Sequence, residues 1–494
     1  MKKVLMLYPQ FPDTFWSFKH ALKFVRKRAA LPPLGLLTVA AMLPGGWEIR
    51  LIDLNVAELG DADLAWADWV FVSGMIAQRE AARAVIARCR AAGKTVVAGG
   101  PLFTSEHLEF PDVDHFILNE AEVTLPGFLR DFAAGQAKRL YTTTALPDLL
   151  DSPVPRWDLA DLRRYGSMSL QYSRGCPFDC EFCDVTAKFG HRSRTKSAAQ
   201  VLAELDALAA AGWRGPVFFV DDNFIGNKRK LREELLPVLT AWQHAHRHRF
   251  TFYTEASINL ADDAELTRQL VAAGFDAVFI GIETPLEAGL AECNKRQNRG
   301  RDMLGDIKRL QRAGLEVQGG FIVGFDSDTR AIFGSQLEFI QSSGIVTAMV
   351  GMLTALPGTK LFARLQREGR LLSASSGNNS DGTTNFLPRM DLQALRDGYR
   401  TLIATIYAPG PYYRRVRTFL REFQPPTMTL RFDANAIGAF MRSAVALGVI
   451  GRERFQYWRL LAWTLFRRPQ LLPLAVKLAI YGHHFRRCAE ALEG

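Results

Sequence analysis

Cys176-Pro-Phe-Asp-Cys180-Glu-Phe-Cys183 places three of the chain's six cysteines within eight positions. This C-x₃-C-x₂-C run follows Ser169–Tyr172, a short stretch that we predict to be a strand. Six cysteines in 494 residues do not form a disulfide framework, and their crowding indicates a metal centre in a reducing compartment. We therefore expect a cytoplasmic protein.

Three thiolates on one short loop can bind three irons of a cubane and leave the fourth iron open to another ligand. A structural zinc site usually has four protein ligands, and the nearest histidine, His191, does not stand at a zinc-like spacing. The sequence therefore predicts a [4Fe–4S] cluster on Cys176, Cys180 and Cys183. A zinc site and three ordinary core cysteines are the weaker alternatives.

The flanking sequence predicts an α/β architecture with two parallel sheets. Residues 1–145 alternate short strands with helical patterns, which predicts a Rossmann-like (flavodoxin-like) domain that binds ligands at the carboxyl ends of its strands. A proline-containing linker over 146–166 follows. Residues 167–365 contain six predicted strands, too few to close an eight-stranded barrel, so we predict a partial (β/α)₆ barrel. Residues 366–494 are predicted to form a loop over the barrel mouth and a helical, basic C-terminal region.

With an aromatic residue before its last cysteine, the cysteine loop resembles the signature of radical S-adenosylmethionine (SAM) enzymes. The resemblance implies that SAM is cleaved to a 5′-deoxyadenosyl radical by an electron from a donor such as flavodoxin or ferredoxin. The chain departs from the family's Gly-Gly-Glu motif, where it has Asp221 and Asp222. The SAM contacts that the resemblance implies are Phe182, Asp221, Asp222, Glu255, Ser257, Glu283, Val323 and Gly324.

The position of the N-terminal domain, ahead of such a barrel, resembles the cobalamin-binding subfamily. Small residues at strand ends allow a corrin ring to approach the backbone closely. The cobalamin contacts implied are Asp53, Ser73, Gly74, Gly99, Gly100, Thr104 and Glu120. Asp53-Leu-Asn-Val-Ala57 contains no histidine, so the resemblance does not imply histidine ligation of cobalt. The alternative is a degenerate domain that is kept only for packing.

Longer stretches resemble the subgroup that contains the hopanoid C-2 methylases. They are Tyr8–His20, Pro101–Ser105, Asp221–Asn227 and Phe321–Thr329. The resemblance implies a class B-like, cobalamin-dependent C-methyltransferase that moves a methyl group from methylcobalamin to an unactivated carbon of a lipid such as a hopanoid. The alternatives are a radical rearrangement, cyclisation or aminocarboxypropyl transfer, or a membrane-associated binding protein with an inert cluster. The sequence singles out no catalytic acid or base.

The basic charge of the chain lies in its last hundred residues. Sixteen Lys and Arg and seven Asp and Glu residues follow position 390, so this part carries nine of the ten net positive charges. Aromatic and aliphatic residues alternate with these charges, a pattern typical of peripheral contact with a membrane, here its inner face, rather than of a nucleic-acid surface. The alternative is that the helices pack on the barrel and expose a basic outer face.

Overall fold

The computed structural model describes residues 2–425 and 434–492. Its first sheet is parallel throughout, in the strand order β2-β1-β3-β4-β5-β6. Its strands are β1 Lys3–Tyr8, β2 Glu48–Asp53, β3 Trp69–Ser73, β4 Thr95–Gly99, β5 His115–Ile117 and β6 Leu140–Tyr141. The helices around it are α1 Lys19–Leu22, α2 Leu34–Met42, α3 Asp61–Trp66, α4 Arg79–Ala91, α5 Pro101–Glu106 and α6 Ala121–Ala133. Aliphatic side chains fill both faces of this sheet, which is why its strands read as continuous apolar runs.

The second sheet contains six parallel strands in the order β14-β13-β12-β11-β10-β7, beside a two-stranded ribbon, β8-β9. The strands are β7 Met168–Leu170, β8 Ser173–Arg174, β9 Arg194–Thr195, β10 Gly215–Phe219, β11 Phe250–Glu255, β12 Phe275–Glu283, β13 Glu316–Val323 and β14 Ala348–Met352. The helices are α7 Val185–Phe189, α8 Ala198–Ala210, α9 Lys228–Lys230, α10 Leu236–Ala245, α11 Ala264–Ala272, α12 Glu287–Glu292, α13 Met303–Ala313, α14 Ala331–Ser343 and α15 Lys360–Arg367. The strands follow one another in chain order and the sheet does not close, which is the arrangement of a partial barrel.

Helices dominate the C-terminal region. They are α16 Leu392–Tyr407, α17 Pro409–Glu422, α18 Ala434–Val445, α19 Arg454–Arg467 and α20 Leu472–Ala491, with a π-helical turn over Ala446–Ile450 after α18. The large apolar core of the barrel continues into these helices and into the N-terminal segment at Phe15, Phe24 and Leu37. The C-terminal region is thus part of the barrel's packing.

The predicted fold class is confirmed, and each predicted strand coincides with an observed one within a few residues. The strands β6, β8 and β9 leave no signal in the sequence, because a two-residue strand is too short to show a period. The predicted loop over 366–390 overlaps the last two residues of α15, and from Glu368 to Met390 it has no helix and only an isolated bridge between Leu371 and Phe386. Arg79 donates to Ser375 O at 2.8 Å, so this loop reaches back to the first domain.

Candidate functional site

A cavity of about 750 Å³ lies between the two sheets. Its walls are the strand ends of the first domain, the segment 10–42, and barrel residues such as Ser169, Val220 and Asp222. Six of the seven predicted cobalamin contacts are in the lining, namely Ser73, Gly74, Gly99, Gly100, Thr104 and Glu120. Asp53 is not, because its buried carboxylate accepts hydrogen bonds from Tyr165 at 2.9 Å and from Asn55 at 2.6 Å.

The turn after β4 needs glycine at two consecutive positions. A Cβ on Gly99 would lie 2.6 Å from Ile117 O, and one on Gly100 would lie 2.4 Å from Ser73 Oγ. Gly100 also has a φ of +89°, which L side chains rarely adopt. The strand ends therefore present bare backbone to the cavity, as the close approach of a corrin ring requires.

The cavity also extends along one face of the first sheet, between α2 and α6. Side chains there are apolar: Val39 and Met42 from α2, Phe71 and Val97 from the sheet, and Leu125 from α6. This lining fits a flat, largely apolar group such as the base of the cobalamin nucleotide tail. The residues present thus fit both ends of cobalamin.

Two arginines of the β8-β9 ribbon hold the domains together at the cavity edge. Arg174 lies 2.5 Å from Glu120 and 2.8 Å from Glu122, and Arg194 lies 2.7 Å from Glu120. Both glutamate side chains are at least 95% buried. Both carboxylate oxygens of Glu120 thus accept hydrogen bonds from arginine. The main role of Glu120 here is to join the two sheets beside the cavity.

Replacing Arg174 with methionine is expected to lower the free energy of unfolding by about 3 kcal/mol, because it leaves two buried carboxylates with one arginine between them. Urea unfolding measures this loss. Arg163→Met is the control, since Arg163 is exposed and pairs only with Asp161 on the surface. Equal effects of the two substitutions would contradict a structural role for the buried network.

The cysteine loop begins at Gly175, whose φ is +93° and whose Cβ would lie 2.7 Å from Arg192 O. Asn223 Nδ2 lies 3.8 Å from Cys176 Sγ, and Gln297 Nε2 lies 3.7 Å from Cys180 Sγ, so two of the sulfurs have amide donors. Burial raises the pKa of Cys183 to about 12 and also raises the pKa of each of the other two thiols. Metal binding must therefore displace the protons.

In the part of the chain that the structure describes, no three His, Cys, Asp or Glu side chains are close enough together to hold one metal ion. A tetrahedral zinc site requires such a grouping. A cubane does not, because each thiolate binds a different iron and the sulfurs stand further apart. Three cysteines with no fourth ligand therefore fit the predicted cluster.

A buried ion pair stands beside this loop. Lys295 Nζ lies 2.5 Å from Glu283 Oε1, and both side chains are nearly buried. Burial opposes the charge on Lys295, but Glu283, Cys180 and Cys183 outweigh it, so the Lys295 pKa is raised. Glu283 has a φ of +63°, and a Cβ on Gly281 would lie 2.3 Å from its Oε1. The backbone at the end of β12 thus accommodates this pair. The positive charge of Lys295 faces the cysteine thiols.

Three carboxylates meet at the ends of β10 and β11. Asp221 accepts from Tyr172 N at 3.0 Å and from Ser173 Oγ at 2.6 Å, so it fastens the cysteine loop to the barrel. Asp222 Oδ2 is buried and has no hydrogen-bond partner among the described residues. Burial raises the pKa of Glu255 to about 8, with further contributions from Asp222 and Asp221. An ammonium group or hydroxyl, as SAM carries, would satisfy these acceptors.

The raised pKa of Glu255 makes the apoprotein less stable as pH rises. The folded state keeps a proton on Glu255 up to about pH 8, whereas the unfolded chain loses it near pH 4.5, so stability falls between these values. The fall amounts to about 1.4 kcal/mol for each pH unit between the folded and unfolded pKa values. We expect Glu255→Gln to flatten this fall in a thermal unfolding series, and Glu265→Gln, on the surface, to leave it unchanged. Identical pH profiles for the parent and Glu255→Gln would contradict this assignment.

Of the remaining predicted SAM contacts, Ser257, Val323 and Gly324 lie at neighbouring strand ends, and Phe182 lies in the cysteine loop. Ser257 Oγ lies 3.2 Å from Asn223 Nδ2, the same amide that faces Cys176. Phe182 packs against Phe325 with ring centroids 6.4 Å apart. Val323 is buried in the core, and Gly324 follows it with a φ of +104°. The cysteine loop, the carboxylates and this apolar wall therefore all lie at the carboxyl end of the barrel sheet.

Several site residues were missed by the sequence analysis. Lys295 lies on a loop after α12 with no motif to mark it, and Arg174 was visible only as the residue preceding Gly175-Cys176. The segment 10–42 supplies much of the cavity wall, although its sequence shows only turn residues and a short helix.

Comparison with known proteins agrees with this geometry. Residues 28–129 match a B12 binding domain, residues 170–340 the radical SAM superfamily, and residues 359–494 a domain of unknown function. The chain is 40% identical over 494 residues to an uncharacterized methyltransferase from Synechocystis, covering 99% of this chain and 92% of that protein. It is 32% identical over 480 residues to the hopanoid C-2 methylase of Rhodopseudomonas palustris, covering 94% and 90%. The chain belongs to the cobalamin-dependent radical SAM C-methyltransferases.

The fold of this methyltransferase is also that of a solved relative. TsrM from Kitasatospora setae, determined with cobalamin and a [4Fe–4S] cluster bound, has a TM-score of 0.64 and covers 100% of both chains at 15% identity. The cofactors of the family are the [4Fe–4S] cluster, SAM and cobalamin. None of the described helices is long and apolar enough to cross a membrane.

When bound, the cluster and SAM supply a carbon-centred radical by reductive cleavage of a sulfonium C–S bond, and cobalamin supplies the methyl group. The protein's own contribution is to position the cofactors and the substrate. The first domain offers bare backbone at β3 and β4, while the barrel offers carboxylates at β10 and β11. The buried Arg174–Glu120 pair fixes the distance between the two sheets, and the apolar wall of the cavity keeps water away from a radical.

Proposed function

We propose that this enzyme methylates an unactivated sp³ carbon of a polycyclic membrane lipid such as a hopanoid. The observation that carries the proposal is the apolar wall of the cavity between the sheets. Apart from the strand ends and the barrel, this wall is built by the segment 10–42, with Phe11, Trp16, Leu31 and Leu36 among its side chains. Phe11, Leu31 and Leu36 offer no charge to a substrate, so their contacts favour a hydrocarbon skeleton over a peptide or nucleotide.

Trp16 supports this proposal because it belongs to both the cavity and the barrel. Its ring lies 5.3 Å from that of Phe279 on β12 in an edge-on contact, and it is 38% exposed. A rigid aromatic side chain that is half open to the cavity is suited to pack against a fused ring. We propose that the substrate enters between Trp16 and the strand ends of the first domain.

The cofactor contacts form part of the proposal. Cys176, Cys180 and Cys183 bind the cluster, and Glu255, Asp222 and Ser257 face the polar groups of SAM. Ser73, Gly74, Gly99, Gly100 and Thr104 face cobalamin. An electron donor such as flavodoxin or ferredoxin reduces the cluster, and the enzyme meets its lipid on the cytoplasmic face of the membrane through its C-terminal region.

Lipid analysis of a hopanoid-producing host tests this function. We expect extracts of cells expressing the chain to contain a hopanoid heavier by one methylene unit, and cells expressing Cys183→Ala to lack it. A methylated product that is not a lipid would overturn the substrate class while leaving the reaction intact. Accumulation of 5′-deoxyadenosine without any methylated product would overturn the reaction and favour a rearrangement or cyclisation.

A further inference from the structure

The C-terminal helices expose a continuous apolar surface. Ile437, Met441, Val445 and Val449 recur every fourth residue along α18 and the turn after it, and each is more than half exposed. On α19 the exposed apolar residues recur at helical spacing on one side. The apolar face comprises Ile437, Met441, Val445, Val449, Ile450, Phe455, Trp458, Leu465 and Phe466. Trp458 Nε1 donates to Gly448 O at 2.9 Å, so the two helices present one surface.

This apolar face is too large to be ordinary surface. Scattered single apolar residues need no explanation, but contiguous patches of this kind mark contact sites. Phe466 is 84% exposed and Ile450 is 75% exposed, which leaves their side chains almost wholly in water. Within 434–467 the single acidic residue, Glu453, is buried against Arg486, so the exposed charged residues of this segment are all basic.

Four arginines border the apolar face. This arginine cluster consists of Arg414, Arg417 and Arg421 on α17 and Arg459 on α19. Arg417 is 91% buried, and its Nη1 has no hydrogen-bond partner in the part of the chain that the structure describes. Burial and then repulsion by the other three arginines lower the pKa of Arg417. The Arg421 guanidinium lies 5.8 Å from the Trp463 ring, which holds that side chain at the edge of the cluster.

Among the described residues, this buried guanidinium has no acceptor for Nη1 and no counter-ion beside the three other arginines. A phosphate oxygen would satisfy Nη1 and neutralise the cluster, because phosphate is the anion that arginine binds most directly. The adjacent apolar face indicates where that phosphate comes from. In a lipid headgroup the phosphate lies just above the acyl chains, so both groups would be occupied at once.

We propose that the arginine cluster binds the phosphate of an anionic lipid headgroup while the apolar face inserts into the same leaflet. α18 packs against the N-terminal segment, since Arg442 donates to Phe24 O at 2.7 Å. The chain preceding Phe24, from Asp13 to Lys19, lines the cavity. The docked leaflet therefore lies beside the segment through which we propose that the substrate enters, and to that extent the inference rests on the proposed lipid substrate.

Vesicle co-sedimentation with the full-length holoenzyme tests the docking surface. We expect binding to phosphatidylcholine vesicles that contain phosphatidylglycerol and much weaker binding to pure phosphatidylcholine. Arg417→Gln with Arg459→Gln should weaken binding to the anionic vesicles by roughly tenfold or more. The matched control is Arg268→Gln with Arg299→Gln, which removes two surface charges of the barrel, on α11 and on the loop before α13, and should leave binding unchanged.

Two further variants keep the test decisive. Arg459→Gln alone, at an exposed position, should still weaken binding if the Arg417 variant does not fold. Ile450→Asp with Phe466→Asp should abolish binding while leaving the arginines intact. Vesicle binding that is unchanged in these variants would overturn the docking surface. The docking surface would also be overturned if millimolar inorganic phosphate stabilised the enzyme through Arg417 and the enzyme did not bind vesicles. That result would assign the arginine cluster to a free anion.

The docking test is independent of the reaction. If the vesicle results hold and no lipid is methylated, the proposed substrate fails and the membrane site stands. If lipid in detergent is methylated and the arginine variants bind vesicles normally, the substrate stands and the docking surface fails.

Discussion

Replacing Cys180 with alanine is expected to reduce methylation to background and to remove the visible absorbance of the iron–sulfur cluster. The loop offers three thiolates, and none of the described side chains stands ready to replace one of them. Because a cubane bound through two cysteines is poorly held, cleavage of SAM to 5′-deoxyadenosine should disappear with methylation. Iron content, absorbance and the yield of 5′-deoxyadenosine after anaerobic reconstitution measure the effect.

Cys293 provides the matched control. It is also buried close to the site, its Sγ lies 3.7 Å from Leu290 O, and Glu181 N donates to its carbonyl oxygen at 2.9 Å. Cys293→Ala removes a buried thiol and keeps the backbone hydrogen bond to the loop, so we expect full iron content and activity. A cluster that survives in Cys180→Ala but is lost in Cys293→Ala would contradict the assigned ligands.

Replacing Val39 with tryptophan is expected to abolish cobalamin binding while leaving the cluster intact. Val39 lies on α2 in the apolar extension of the cavity, opposite Leu125 on α6. A tryptophan there would fill the space that we assign to the nucleotide tail. The variant should purify without cobalamin, form no methylated product and still release 5′-deoxyadenosine, which chromatography of the reaction mixture measures directly.

Ala41→Trp is the control, because it adds the same ring to α2 at a position outside the cavity lining. Overpacking costs about 1–3 kcal/mol, so both variants should first be compared by thermal unfolding. Normal cobalamin content in Val39→Trp would show that the extension does not hold the tail. Loss of cobalamin from both variants alike would mean that the effect comes from a destabilised domain.

The sequence predicted the architecture well because both sheets are built from continuous apolar strands. Runs such as Val4–Tyr8 and Trp69–Ser73 have one interpretation in a chain that alternates strands and helices, and parallel order follows from that alternation. The cysteine loop was equally clear. The ends of the C-terminal helices were less so: the sequence predicts helices over Phe440–Val449 and Leu471–Tyr481, whereas α18 begins at Ala434 and α20 continues to Ala491. His483, His484 and Arg486 still lie on the helix, packed or paired within the fold.

The contacts between distant parts of the chain were not predictable. Glu120 was expected beside cobalamin and lies in the cavity lining, but its partners, Arg174 and Arg194, are more than 50 residues away. Asp53 was also expected to contact cobalamin, but one of its carboxylate oxygens accepts a hydrogen bond from Tyr165. The periodicity of a single sequence does not indicate which distant residues form such pairs. The same is true of the arginine cluster, whose members come from α17 and α19, because the sequence shows only that both helices are basic.

The most direct test of the central claim is an accounting of the products from SAM labelled with a deuterated methyl group. With reconstituted enzyme, cobalamin, a reductant and a hopanoid in vesicles, we predict S-adenosylhomocysteine and 5′-deoxyadenosine in equal amounts, together with a lipid that carries the intact deuterated methyl group. Formation of 5′-deoxyadenosine without S-adenosylhomocysteine, and without label in the lipid, would contradict the assignment of this chain as a lipid C-methyltransferase.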